Sequence, residues 1–520
     1  MTEQPDSPGL DRAQVLSMAR ALADLIDTAR TEVAGGAPSP LVTALSEHLG
    51  VDARQATIVS HHWAPWEHVS LHRAVSAHLA AVTPEAEWIG LPGGPMRMHN
   101  DLPSLLQMDP AARLTTADYL LLPVSPTATQ DVVSCGLVRT NDVDGNPVVL
   151  ALREVQMAGP SQVAVEVMAA NRATASGLVT HLQALVAEHD ILRGQVLSFS
   201  VNEHQGNQMV SFLLRPVVPQ TDVILPPDVL PTIEKHVTGP AERAQRLLQL
   251  GIHLKRGVLL HGPPGTGKTH TVRYLMGRLA DSTVLVLTGN GLMFIEQAAA
   301  LARRLAPSVV VVEDVDLIAQ DRSFSPMGNP LLFSLLDAMD GVAADADVTF
   351  VLTTNRATML EEALVQRPGR IDLAVEIPRP DADGRRRLAE LYRGGASVSA
   401  DLEPLIAATE GATASAIKEL MRRAVLRALD TDPSVNPPVV DDAVLASVLQ
   451  DFVSETQALS RSLLGAGGEP AAEDGVGPSN PEGSAGAEWF GGSEGPMPGL
   501  APAAFVHRTM PGSYGGWTLG

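Results

Sequence analysis

The stretch GVLLHGPPGTGKT at residues 257–269 constrains this chain more than any other. It begins as an apolar, strand-like run, closes into a Gly-rich loop and ends in Lys268 and Thr269, after which THTVRYLMGRLA has the pattern of a helix. Strand, loop and helix in this order form the G-x-x-x-x-G-K-[ST] signature of a P-loop. Gly262, Gly265 and Gly267 let the backbone curl until its N–H groups point at phosphate oxygens, which a Cβ would obstruct. Lys268 puts a point charge on the β- and γ-phosphates, the Thr269 hydroxyl suits Mg²⁺, and the helix N-terminus adds its dipole. The expected ligands are therefore ATP and Mg²⁺. The expected binding set is Gly262, Pro263, Pro264, Gly265, Thr266, Gly267, Lys268, Thr269 and His270.

Around this loop, GVLLHG, TVLVLTG, SVVVVED, VTFVLTTN and LAVEIP read as five buried strands alternating with helical stretches. That alternation predicts an α/β fold, a parallel P-loop sheet sandwiched by helices, over 219–380. Residues 381–458 are helical in pattern and form a lid. Upstream, 1–130 reads as mostly helical, from LDRAQVLSMARALADLIDTARTEVA and LVTALSEHLG. Residues 131–218 read as an α+β recognition domain: VVSCGLVRT and VVLALREV flank the turn NDVDGNP, a helix follows, and VLSFSVNEHQGNQMVSFLLRP suggests paired strands. PVVPQTDVILPPDVLP is a Pro-rich linker into the nucleotide domain. The tail 459–520, rich in Gly, Pro, Ser and Ala, cannot build a core and is expected to be disordered. Its aromatics Trp489, Phe490, Phe505, Tyr514 and Trp517 are either short partner motifs or unselected tail.

At 520 residues the chain is too long for one ordinary core. Its formal net charge of -22 argues against a general nucleic-acid binder, and lysine is confined to Lys235, Lys255, Lys268 and Lys418. The lone Cys135 excludes an internal disulfide and, within VVSCGLV, reads as core. The polar N-terminus MTEQPDSPGL lacks the features of a signal peptide, and no apolar run is long enough to span a bilayer. These features lead to the expectation of a cytoplasmic protein without a membrane span.

SVVVVEDVD at 308–316 delivers acids from the C-terminal edge of a strand, where ligands of parallel sheets bind. Glu313 is the expected Mg²⁺ ligand with Thr269, and Asp314 the group that polarises the attacking water. VTFVLTTNRA at 348–357 brings Asn355 within reach of that water, and ALVQRPGRID at 363–372 offers Arg367 and Arg370 as cations for a neighbour's γ-phosphate. With these segments in order, about 223–440 resembles an AAA-type ATPase of the AAA+ superfamily. The resemblance implies a ring homo-oligomer, usually hexameric, with ATP between subunits, Asn355 as sensor 1, and Arg367 and Arg370 acting in trans.

Departures from the family pattern carry information. The acids run Glu313-Asp314, where most relatives have Asp-Glu. The branch containing the mitochondrial translocase for folded iron–sulfur protein, a complex III assembly factor, shares that order and resembles VILPPDVL at 223–230. Ala414, Ser415 and Ala416 replace the end of the sensor-2 segment, and ALVQRPGR holds one residue more than usual, leaving open which arginine is the finger. Phe294 is either a pore-loop aromatic or a helix core residue. His61, His62, His68 and His72 cluster, with His68 and His72 at metal-ligand spacing; a surface or interface role is the alternative. No H-E-x-x-H occurs, so no fused metalloprotease is expected. The leading expectation is an ATP-hydrolysing, ring-forming motor that remodels a protein client recognised by 1–220. The alternative is an ATP-switched scaffold with little turnover.

Overall fold

The computed structural model describes residues 17–18, 20–25, 39–91, 101–107, 115–155, 161–200, 209–316, 330–342, 345–356 and 371–463. Those up to Gln457 belong to one compact unit.

The N-terminal half is built on an antiparallel sheet. Its strands are β1 (Thr57–Trp63), β2 (Ile89–Gly90), β3 (Thr115–Thr116), β4 (Asp118–Ser125), β5 (Ala128–Asn141), β6 (Pro147–Val155) and β7 (Gln162–Ala169). The order is β1-β7-β6-β5-β2-β3, with β4 also paired to β5. Side chains of β6 alternate between two cores, as the period of a strand requires. Val148, Leu150 and Leu152 face α2 (His68–Val82) and α4 (Arg172–Glu188). Val149 and Ala151 face α1 (Pro40–Leu49) and α3 (Leu102–Leu106), where Cys135 is also buried. Ser39 caps α1 by accepting from Val42 N–H, and Asn171 caps α4 by accepting from Thr174 N–H.

Within 1–130, the helices are accompanied by β1 to β4, which join the sheet of the downstream hairpin. β1 escaped notice because TIVSHHW is a half-buried edge strand whose polar residues blur the alternation.

The second sheet holds β8 (Val196–Phe199), β9 (Val210–Leu213), β10 (Arg256–His261), β11 (Thr283–Leu287), β12 (Ser308–Val312), β13 (Val348–Thr354) and β14 (Leu373–Glu376). All five expected strands are present, in the order β14-β10-β13-β12-β11-β8-β9 and parallel except for the β8–β9 hairpin. One face packs on α5 (Val229–Glu242) and, beyond the short α6 (Ala244–Gln249), on α7 (Lys268–Arg278). The other face packs on α8 (Ile295–Arg304) and α9 (Pro330–Asp340).

The hairpin moves the expected boundary at 218/219. β8 pairs in parallel with β11, so the nucleotide sheet recruits residues assigned to the recognition domain. Arg215, at the end of the expected strand pair and just before the linker, donates to the carbonyls of Met276 and Leu279 at the end of α7, and to those of Gly194 and Ser282. The N-terminal half meets this sheet through Val69, Leu122 and Val132, which share a core with Phe199, Ile295 and Ala298. Arg304 at the end of α8 pairs with Glu67 and, at 3.2 Å, with Asp190.

The lid comprises α10 (Ala382–Tyr392), α11 (Glu403–Ala408), α12 (Ala414–Thr431) and α13 (Asp442–Leu463), with a two-residue pair of strands between them. Its own core joins Leu388, Leu405, Leu420 and Leu445.

Candidate active site

β10 runs out at His261 into a loop where Gly262, Gly265 and Gly267 have φ of 139°, 77° and 112°. A Cβ on Gly262 would lie 2.3 Å from the Ile377 carbonyl oxygen, and one on Gly265 would lie 2.8 Å from Ser415 Oγ. The loop is therefore closed against β14's exit on one side and the lid on the other. Lys268 is buried, and its Nζ donates to the Gly262 and Pro263 carbonyls at 2.8 and 2.9 Å. Burial lowers the Lys268 pKa, opposed by the charges of Asp314 and Asp316.

Glu313 follows β12, its N–H donating to the Leu287 carbonyl. Burial raises its carboxyl pKa; a hydrogen bond from Thr269 opposes that shift, and the neighbouring Asp314 adds to it. Among the described residues, its Oε1 is buried without a hydrogen-bond partner. An unsatisfied carboxylate oxygen beside a P-loop hydroxyl is a donor set suited to a hard cation, so Thr269 and Glu313 fit Mg²⁺.

Asp314 turns away from Glu313 into the cavity. Its N–H donates to Thr353 Oγ1 at 3.0 Å, and its Oδ1 accepts from Asn355 Nδ2 at 3.2 Å. Asp316 is buried and accepts from Thr354 Oγ1 and Asn355 N–H. The cavity, of about 430 Å³, runs from Asp314 and Asn355 past the P-loop to Tyr392, Ser415 and Lys418 of the lid. Ser415 donates from its N–H and its Oγ to the Gly265 carbonyl at 3.0 and 3.2 Å. His270 faces the same cavity and bonds the Asp222 carbonyl. Lys418 lies 5.6 Å from the centre of the Tyr392 ring.

The structure thus brings together the P-loop, Glu313, Asp314 and Asn355; Arg367 and Arg370 lie outside the described residues. Asp316 and Thr353 were not singled out from sequence, although the third acid of SVVVVEDVD was a usable signal, and Ser415 stood out only as a departure in the sensor-2 segment. Phe294 packs against the core shared with the N-terminal half, its ring 6.1 Å from Phe199, which is the core alternative. His68 is buried on α2 and bonds the Val133 carbonyl, and no metal-binding cluster occurs among the described residues.

Residues 258–379 match the family model described as "ATPase family associated with various cellular activities (AAA)". This is an AAA-type ATPase domain. Similar curated proteins include a proteasome-activating nucleotidase of Methanosphaerula palustris, 29% identical over 215 residues, which covers 38% of this chain and 52% of the relative. The 26S protease regulatory subunit 6A of Caenorhabditis elegans is 30% identical over 244 residues, covering 44% and 54%. ATPase family gene 2 protein homolog A of Homo sapiens is 32% identical over 219 residues, covering 39% and 24%. The chain thus matches about half the length of the first two curated relatives and less of the third. No described helix is long and apolar enough to cross a membrane.

Proposed function

We propose that this chain binds and hydrolyses ATP as a ring homo-oligomer, a hexamer, and uses the energy to remodel a protein partner. The observation that carries the reading is the convergence of Lys268, Thr269, Asp314 and Asn355 on one cavity that lid residues also line, with Glu313 bonded to Thr269 just outside it. In it, Lys268 exchanges the Gly262 and Pro263 carbonyls for the β- and γ-phosphates. Thr269 and Glu313 would hold Mg²⁺, which would supply positive charge beside the phosphates. Asp314, steadied by Asn355, orients the water that attacks the γ-phosphorus, while Arg367 and Arg370 reach in from the next subunit. The N-terminal sheet domain recognises the client, and the cytoplasm is the expected compartment. Two relatives whose names associate them with proteasomes or proteases support a protein client, and the charge of -22 weighs against nucleic acid.

Steady-state phosphate release tests this. Lys268→Ala and Asp314→Asn are each expected to lower turnover by about 100-fold or more, with Asp314→Asn still binding ATP and retaining its client in a pull-down. A ring that assembles on ATP, by light scattering, while the native chain releases no phosphate would establish the scaffold alternative instead.

A further inference from the structure

The order Glu313-Asp314 matches the backbone that carries it. Glu313 extends the sheet through its bond to the Leu287 carbonyl, whereas Asp314 swings to a φ of 52°. It is the single non-glycine residue with positive φ among those described. Aspartate and asparagine tolerate this left-handed region best, because their short polar side chains bond locally; glutamate does so less well.

The turn is held from β13. Thr353 Oγ1 accepts the Asp314 N–H, and the Thr353 carbonyl accepts the Val315 N–H at 2.9 Å. The Asp314 side chain is fixed by Asn355, whose own N–H is anchored on Asp316. Asp316 is only 6% exposed and does not line the cavity, so it acts through Asn355. Glu313 likewise stays out of the cavity lining while Asp314 faces it.

We infer that Thr353 and Asp316 are positioning residues for hydrolysis. They hold residue 314 in a left-handed turn that presents a carboxylate one methylene shorter than glutamate to the attacking water. The Glu-Asp order is then a fit of side chain to backbone, not a weakened site. This rests on the hydrolytic reading given above.

Thr353→Val is nearly isosteric and removes the acceptor for the Asp314 N–H; Thr353→Ser restores it. Thr353→Val is expected to lower kcat about 10- to 100-fold while changing KM for ATP less than about twofold. Affinity for the transition-state mimic ADP–aluminium fluoride with Mg²⁺ should fall in the same proportion as kcat, and Thr353→Ser should recover both. Asp316→Ala should shift the same two quantities in the same direction, and Asp314→Glu should turn over more slowly than the native chain. Thermal melts of each variant separate these effects from unfolding. Unchanged affinity for the fluoride complex in Thr353→Val would overturn the inference, as would faster turnover in Asp314→Glu. If the native chain released no phosphate, the hydrolytic reading would fall, and the fluoride-complex comparison would still decide the positioning.

Discussion

Burial sets the charge of His68. Desolvation pulls its pKa to about 4, against an upward push from the Val133 carbonyl and a further downward one from His72. In the unfolded chain an imidazole titrates near 6.5, so below that pH the unfolded state binds a proton that the native state refuses. The stability contributed by this site is therefore present above pH 6.5 and is lost as pH falls toward 4. The loss amounts to about 3 kcal/mol. His72 and His78, also lowered by burial, act in the same direction. Urea melts between pH 4 and 7 should show this slope, and His68→Gln, which keeps a donor for Val133, should flatten it. From the sequence, the histidines of IVSHHWAPWEHVSLHRA were legible only as a cluster. Burial of His68 depends on β5, which the sequence does not place opposite α2. The P-loop residues were legible because their chemistry is local, whereas Thr353 and Asp316 act through contacts between different strands.

At the scale of elements, hydrophobic pattern was enough to find strands but not their neighbours. GVLLHG, TVLVLTG, SVVVVED, VTFVLTTN and LAVEIP all became β10 to β14, and the strand pair in VLSFSVNEHQGNQMVSFLLRP became β8 and β9. That β8 pairs with β11 is a non-local choice, which no window of sequence displays. Two outcomes follow from it. A fragment starting at residue 219 leaves the β11 edge bare and should lack a cooperative melt by circular dichroism; one starting at residue 190 should recover it. Arg215→Met strips donors from four carbonyls, including two at the end of α7, and should cost about 2–4 kcal/mol in urea denaturation.

In the molecule as a whole, the N-terminal sheet domain is fastened to the AAA domain near the chemistry. Arg304 closes α8 just before the strand that delivers Glu313, and it ties that helix to Glu67 and Asp190. Asp190 is nearly inaccessible, so Arg304→Met leaves a buried carboxylate without its ion-pair partner. The expected cost is about 2–3 kcal/mol, discounted for the partial exposure of Arg304. Hydrogen exchange should then speed up in α2 and α8 together, while the lid core stays protected. A pull on the N-terminal domain along the strands would load the bonds between β8 and β11 in shear, all sharing the strain, instead of unzipping them one by one. That tension enters β11 beside Leu287, whose carbonyl holds the Glu313 N–H, so a load on the N-terminal domain passes directly to the strand next to the one that carries Glu313.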